Sequence, residues 1–144
     1  MLPNYQRRIL VIEDNGFVRA AISEFLRRSG FHVSAAQTRQ CALSLLRSNE
    51  IDLIVCDAVL PDGFGLELWE EMAARPPQPG FILTCGYPIA SMSNLAFPQD
   101  MLLTKPYSAA RLLPLIKRAL ALQAQATVPL VIPKPIENLP GHLL

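Results

Sequence analysis

Four charged side chains stand at the ends of apolar segments of this chain: Glu13, Asp14, Asp57 and Lys105. If those segments are strands of one parallel sheet, their carboxyl ends meet at one edge and the four side chains share a site. Three carboxylates in one pocket repel one another strongly, and a divalent cation relieves that repulsion. Oxygen ligands at strand ends suit Mg²⁺, whose two positive charges together with Lys105 would balance the three negative charges.

The same residues supply what phosphoryl transfer requires. A lysine and a metal ion stabilise the equatorial oxygens of the phosphoryl group during transfer. Asp57 would then be the nucleophile, and the product would be an acyl phosphate. Each residue alone has an ordinary explanation, because an acidic pair after a strand is often a helix cap and Lys-Pro is often a turn. Their joint occurrence after the first, third and fifth predicted strands favours the shared site.

Five short apolar segments predict the strands that would position these side chains. They are residues 9–12, 31–35, 51–57, 81–84 and 101–104. The third is aliphatic and β-branched almost throughout, which is typical of a strand buried on both faces of a parallel sheet. Pro61, Asp62, Gly63 and Gly65 follow it closely and predict a tight loop after Asp57.

Segments between these strands have apolar residues three and four positions apart, which predicts helices. The first follows Asn15 as its cap and ends at Gly30, and the second begins at Thr38. The predicted inner faces are Val18, Ala21, Ile22 and Phe25 in the first helix and Cys41, Ala42, Leu45 and Leu46 in the second. Five strands alternating with about five helices predict an α/β domain whose parallel sheet is covered on both faces.

The later helices are less regular in their sequence. Residues 65–74 and 108–123 predict two of them, and residues 88–97 predict a short or irregular one between two prolines. Pro114 lacks the N–H that would bond the Ala110 carbonyl, so we expect a kink or an irregular first turn in the last helix.

The sequence predicts one domain over residues 1–123, followed by a tail or linker at residues 124–144. The tail contains four prolines that prevent a regular helix, Pro129, Pro133, Pro135 and Pro140. Leu130, Val131 and Ile132 make it unusually apolar for a linker, so we also consider that it packs on the domain or on a partner chain.

Composition excludes several classes of function. Apolar residues make up 51% of the 144 residues and charged residues 17%, which is typical of a folded domain. A net charge of +1 gives no basic surplus for direct nucleic-acid binding. Three cysteines, an odd number, favour reduced thiols in a cytosolic protein. Early charges such as Arg7 and Arg8 disrupt a signal peptide, and no apolar run reaches the roughly 18–20 residues of a membrane span. We therefore expect a cytoplasmic protein without membrane insertion.

The motifs resemble the receiver domain of bacterial two-component response regulators. The resemblance is carried by Glu13-Asp14, by Asp57-Ala58-Val59-Leu60-Pro61-Asp62-Gly63-Phe64-Gly65 and by Lys105-Pro106-Tyr107. It covers residues of about 7 to 123. It implies a flavodoxin-like (βα)₅ fold with strand order 2-1-3-4-5, Mg²⁺ binding, and phosphorylation by a histidine kinase or a histidine phosphotransfer protein.

Individual roles follow from the resemblance by position. Asp57 matches the phosphoacceptor, and Lys105 matches the phosphate-binding lysine, with Pro106 in a cis peptide. The metal ligands that it implies are the carboxylates of Glu13, Asp14 and Asp57 and the main-chain carbonyl of Val59. Pro61 and Gly65 match residues of the loop after the acceptor.

Two positions depart from the family pattern. The family places a Thr or Ser at the end of the fourth strand, before a small residue, where it bonds a phosphoryl oxygen. Cys85 is the better match because Gly86 follows it, and Thr84 is the alternative; a thiol is the weaker donor. Leu102 stands where the family often has a Tyr or Phe, three residues before the lysine. These departures predict an altered coupling between phosphate and the signalling surface.

Three functions compete on this basis. The favoured one is a receiver that signals to a downstream protein target through protein contacts and catalyses only its own phosphorylation and dephosphorylation. The alternative is a receiver-like scaffold or dimerisation module that works without phosphorylation, and a homodimer is compatible with either. An enzyme with an aspartyl nucleophile, of the haloacid dehalogenase type, is disfavoured, because Val59 stands where those enzymes have a second aspartate.

Overall fold

A computed structural model of the protein describes residues 6–86 and 96–127, with side chains described as far as Gln123. The described strands are β1 (Arg8–Ile12), β2 (His32–Ala36), β3 (Leu53–Asp57), β4 (Val59–Leu60), β5 (Gly63–Phe64), β6 (Gly80–Cys85) and β7 (Leu102–Thr104). The described α-helices are α1 (Gly16–Arg28), α2 (Arg39–Ser48), α3 (Gly65–Ala73) and α4 (Ala109–Thr127). A 3₁₀ turn at Gln99–Met101 precedes β7.

Five strands form one parallel sheet in the order β2-β1-β3-β6-β7. In terms of the five predicted strands this order is 2-1-3-4-5, so the predicted doubly wound fold is confirmed. All five residues of β3 are buried, because β1 and β6 flank it and helices cover both faces of the sheet. The sheet therefore brings the carboxyl ends of β1, β3 and β7 to the same edge.

Side-chain caps define where the first two helices begin. The carboxamide of Asn15 accepts hydrogen bonds from the backbone N–H groups of Phe17 and Val18, as predicted. The hydroxyl of Thr38 accepts from Cys41 N in the same way. The first helix ends before Gly30, whose φ of 99° lies in the left-handed region that glycine tolerates.

The loop after β3 contains a small hairpin that the sequence analysis did not predict. Val59 pairs with Phe64 and Leu60 with Gly63, in antiparallel orientation. Pro61 and Asp62 form the turn between them. The chain therefore leaves Asp57 through an ordered hairpin and enters α3 directly at Gly65.

Two predicted helix faces need correction. Cys41 is exposed, whereas Ala42 is fully buried, because consecutive helical residues point about 100° apart and the buried stripe of α2 runs through Ala42. In α1, Ala21 is exposed, and Ser23 and Leu26 are the buried residues. The apolar stripe predicted on α1 is therefore one edge of the buried face.

The last helix is longer than predicted, since α4 continues to Thr127. It is helical through Pro114, and its first turn is irregular because the Ser108 carbonyl accepts from both Arg111 N and Leu112 N. Most of the irregular helix predicted at 88–97, and the tail beyond 127, lie outside the described residues. The three cysteines are free thiols. Among the described helices, none is long and apolar enough to span a membrane.

Candidate functional site

The sheet edge brings together the four charged residues that the sequence pattern selected. The ammonium of Lys105 lies 2.9 Å from Asp57 Oδ2 and 3.1 and 3.2 Å from the two carboxylate oxygens of Glu13. Glu13 and Asp57 are buried, whereas Asp14 is exposed beside them. We call this group of Glu13, Asp14, Asp57 and Lys105 the acidic pocket.

Strand hydrogen bonds position each side of the acidic pocket. Glu13 N donates to the Ala36 carbonyl, which continues the pairing of β1 with β2 beyond the strand end. Lys105 N donates to the Cys85 carbonyl at 2.7 Å, which continues the pairing of β7 with β6. The peptide bond between Lys105 and Pro106 is cis, as the resemblance implied.

Burial and mutual charge set the protonation of the pocket. Burial, together with the neighbouring Asp57 carboxylate, raises the pKa of Glu13 to about 7 and outweighs the opposing effect of Lys105. Burial alone would lower the pKa of Lys105, but hydrogen bonds to Asp57 and Glu13 outweigh it and raise that pKa above its ordinary value. Without a further cation, the pocket therefore favours one proton on Glu13 below about pH 7.

Oxygen donors in the pocket fit a divalent cation. One carboxylate oxygen from each of Glu13, Asp14 and Asp57 lies within 4.8 Å of the other two. Octahedral ligands of Mg²⁺ at about 2.1 Å stand about 3.0 Å apart when adjacent and about 4.2 Å apart when opposite, so a bound ion would draw these oxygens closer together. The Val59 N–H points to Asp57 Oδ1 at 3.5 Å, and a role for the Val59 carbonyl as a ligand stays a prediction.

Close packing under Asp57 requires glycine at position 65. A Cβ on Gly65 would overlap the Asp57 carbonyl oxygen and would lie 2.9 Å from Leu83 Cδ1 and 3.0 Å from Cys56 Sγ. The Cys56 thiol points to the same Asp57 carbonyl at 3.2 Å, and burial raises its pKa. The Asp57 carbonyl therefore packs against Gly65, the first residue of α3, and against Cys56 of its own strand.

The two candidates for the switch position lie at the end of β6 and have different surroundings. Thr84 pairs laterally with Asp57, and its buried hydroxyl donates to the Cys56 carbonyl at 3.5 Å. Cys85 is one residue nearer the sheet edge, is buried, and pairs with Thr104, directly before Lys105. Since the Thr84 hydroxyl points to strand backbone, the assignment of Cys85 to this position remains the favoured prediction.

Leu102 is buried in β7 and pairs laterally with Leu83. We call Thr84, Cys85 and Leu102 the β6–β7 corner. Its side chains carry no formal charge, in contrast to the acidic pocket a few residues away along the same strands.

Two supporting residues were not identified from the sequence. The guanidinium of Arg19 donates to the backbone carbonyls of Glu13 at 2.8 Å and Asp14 at 3.4 Å, and so holds the acidic loop. The sequence signal for this contact was the position of Arg19, which lies in the first turn of the helix that follows Glu13 and Asp14.

Asp62 is the second residue that the sequence analysis did not assign a role. Its two carboxylate oxygens accept from Arg39 N at 2.8 Å and Gln40 N at 2.9 Å, at the beginning of α2. These hydrogen bonds lower the pKa of Asp62. No local signal could have revealed this contact, because it joins residues more than twenty positions apart.

Comparison with known proteins agrees with this fold. Residues 9–117 match the family model of the response regulator receiver domain, and the chain belongs to that family. The sequence is 31% identical to Protein PetR of Rhodobacter capsulatus over 106 residues, which cover 73% of this chain and 45% of PetR. It is 29% identical over 117 residues to the transcriptional regulatory protein PdtaR of Mycobacterium tuberculosis, covering 80% of this chain and 57% of PdtaR. The chain thus spans about half the length of these curated relatives.

Solved receiver structures are similar in fold. The receiver domain protein from Methanospirillum hungatei superposes with a TM-score of 0.75 at 28% identity, covering 85% of this chain and 99% of that one. The beryllofluoride-activated NtrC4 receiver domain dimer gives a TM-score of 0.69 at 26% identity, covering 81% and 98%. The family is one of two-component signalling, and its members generally bind Mg²⁺ at an acidic pocket.

Proposed function

We propose that Asp57 accepts a phosphoryl group from a phosphohistidine on a histidine kinase or histidine phosphotransfer protein. The observation that carries this proposal is the 2.9 Å contact between Lys105 Nζ and Asp57 Oδ2 inside a pocket of carboxylates. A cation at this distance lowers the cost of adding a dianionic group to a buried carboxylate. No other described cluster of acidic side chains has this arrangement.

Each residue of the pocket has a definite task in the transfer. An Asp57 carboxylate oxygen attacks the phosphorus, and the bond from phosphorus to the imidazole nitrogen breaks; with its other ring nitrogen protonated, the histidine leaves as neutral imidazole. Lys105 transfers its hydrogen bond from the Asp57 carboxylate to a phosphoryl oxygen. Glu13, Asp14 and Asp57 would hold Mg²⁺, which supplies charge neutralisation for the phosphoryl oxygens. Dephosphorylation returns Asp57 to the carboxylate when water attacks the acyl phosphate.

A small-molecule donor tests the proposal without knowledge of the kinase. Incubation with acetyl phosphate and Mg²⁺ should add one phosphoryl group to the wild-type chain, measured by intact mass. Asp57→Asn should abolish the adduct. Asp100→Asn is the matched control, because Asp100 is an exposed carboxylate that pairs with Arg118 far along the chain from Asp57. Equal incorporation in all three proteins would refute Asp57 as the acceptor.

We further propose that the signal passes to a downstream protein through an altered switch at Cys85. Two observations support this proposal. The buried Cys85 thiol directly follows Thr84, which pairs with Asp57 in the sheet. Leu102 occupies the position where the family often has an aromatic residue. A thiol donates a weaker hydrogen bond than a hydroxyl, so phosphorylation should tighten the β6–β7 corner less than it does with threonine.

Hydrogen exchange can measure this weaker coupling. Beryllofluoride with Mg²⁺ mimics the phosphoryl group, and exchange at residues 102–104 should slow only slightly in the wild type. The Cys85→Thr variant should show a larger slowing there, while Cys85→Ser tests whether size or the hydroxyl matters. Identical protection in wild type and Cys85→Thr would contradict a role for the thiol.

A scaffold or dimerisation module that works without phosphorylation is the second candidate. The uncharged, fully packed β6–β7 corner favours it, because it offers no strong polar response to a phosphate on Asp57. Sedimentation with and without beryllofluoride separates the two functions. If the chain self-associates equally in both conditions and in Asp57→Asn, the scaffold describes it better.

A further inference from the structure

An apolar groove lies beside α4, at the amino-terminal end of β6. It has a volume of about 820 Å³ and is lined by Trp69 of α3, by Pro77 and Pro79 of the loop before β6, and by Phe97 and Leu122. We call it the Trp69 groove. It is separate from the acidic pocket, since Gly80, at the amino end of β6, also lines it.

Aromatic rings form the floor of the Trp69 groove. Trp69 and Phe97 meet edge to face with ring centroids 5.2 Å apart, and Phe81 meets Phe97 at 6.0 Å. Phe97 and Phe81 are buried, whereas Trp69 keeps part of its ring accessible. Leu122 at the rim is 49% exposed. None of the described lining residues carries a charge.

The described chain leaves the domain beside this groove. Leu122 and Gln123 line it, and the Gln123 side chain donates to the Gln78 carbonyl at 3.2 Å, which fastens α4 to the loop before β6. The helix continues to Thr127, about 6 Å further along its axis. The residues that follow therefore start within reach of the groove.

The chemistry of the following residues suits an aromatic groove. Residues 128–135 read Val-Pro-Leu-Val-Ile-Pro-Lys-Pro, and the first six are uncharged. Pro129 and Pro133 favour an extended polyproline-type backbone, whose low conformational freedom reduces the entropy lost on binding. Proline-rich segments of this type bind in grooves lined by aromatic rings. At about 3.1 Å per residue, residues 128–135 span about 25 Å when extended, which exceeds the distance of about 6 Å by which the helix continues past Gln123.

We propose that residues 128–135 bind in the Trp69 groove of the same chain. The groove and the segment match in two respects. Both are uncharged over most of their length, and the aromatic rings of the groove suit the prolines of the segment. The bound segment covers Leu122 and the accessible part of Trp69. It also occupies the surface between α3 and α4 that another protein could otherwise contact.

Fluorescence of the single tryptophan tests the proposal in the full-length chain. The variant Leu130→Ser/Ile132→Ser removes the apolar side chains of the segment, and Leu143→Ser/Leu144→Ser is the matched control. Acrylamide quenching of Trp69 should rise about twofold in the first variant, because the bound segment excludes water from the ring. The control variant should quench like wild type.

Two further measurements distinguish other occupants of the groove. A synthetic peptide of residues 128–144 added to the Leu130→Ser/Ile132→Ser variant should restore the low quenching. In the wild type, quenching should not change on dilution, because the contact is intramolecular. Loss of protection on dilution together with a dimer in sedimentation would assign the groove to a second copy and overturn the proposal. Equal quenching of both variants and wild type, with no effect of the peptide, would also overturn it.

Discussion

The acidic pocket and the β6–β7 corner are neighbours on one sheet and are built on opposite principles. In the pocket, buried charges are kept in place by one another, as the three contacts of Lys105 with Glu13 and Asp57 show. In the corner, Cys85 and Leu102 are buried among apolar neighbours. The difference indicates that the capacity to take up phosphate and the means of reporting it are specified by separate residues.

Lys105→Met should have the largest effect on this comparison. It removes the cation that contacts Asp57 and Glu13, so phosphorylation by acetyl phosphate should slow by about 100-fold or more. Leu102→Met changes the corner with the same new residue at similar volume and should leave the rate within about twofold. The measurement is the initial rate of phosphoryl incorporation. Similar losses in both variants would show that pocket and corner are not separable.

Two Gly→Ala substitutions should change the free energy of unfolding by different amounts, because the pocket and the corner are packed differently around the two glycines. Gly65→Ala places a methyl group against the Asp57 carbonyl and Leu83, and should cost about 1–3 kcal/mol of the free energy of unfolding. Gly86→Ala lies directly after Cys85, where nothing is within 4 Å of the new methyl group, and should stay within about 0.5 kcal/mol of wild type. Urea unfolding measures both. A Gly86 variant as unstable as the Gly65 variant would break the comparison.

The pH dependence of stability should follow from the pocket alone. Because folding raises the pKa of Glu13 from 4.5 to about 7, its stabilising contribution is complete below pH 4.5 and is lost as pH rises to about 7. Metal-free protein should therefore lose stability across this window and then level off. Mg²⁺ should oppose that loss, since its binding displaces the Glu13 proton.

Thermal unfolding from pH 5 to pH 8, with and without Mg²⁺, measures this effect. Glu13→Gln should flatten the metal-free profile. Thr84→Val removes a hydroxyl of the corner that does not titrate, so its profile should keep the wild-type shape. A Glu13→Gln profile with the full wild-type slope would contradict the role of Glu13.

Sequence patterns predicted the sheet and the pocket because both depend on local signals. Apolar runs ending in Asp57 and Lys105 gave the strands, and parallel strands place their carboxyl ends at one edge. Asn15 was correctly predicted as a cap and Thr38 as the start of the second helix, since capping depends on residues two or three positions away.

Features that depend on helix rotation, on very short strands or on side-chain reach were missed. The exposure of Cys41 depends on how α2 is rotated against the sheet, which the spacing of apolar residues defines only to within one position. The hairpin of β4 and β5 was taken as a plain loop, because two-residue strands are too short to show a period. The contact of Arg19 with the acidic loop depends on side-chain reach rather than on residue pattern.

The paired hydrogen bonds that Arg39 N and Gln40 N donate to Asp62 join the hairpin after Asp57 to the first turn of α2. Those two amide protons should exchange more slowly with solvent while the Asp62 carboxylate accepts their hydrogen bonds. Their exchange rates should therefore report how often the hairpin separates from the helix. Two amides in α2 thus record the opening of a segment more than twenty residues later in the chain.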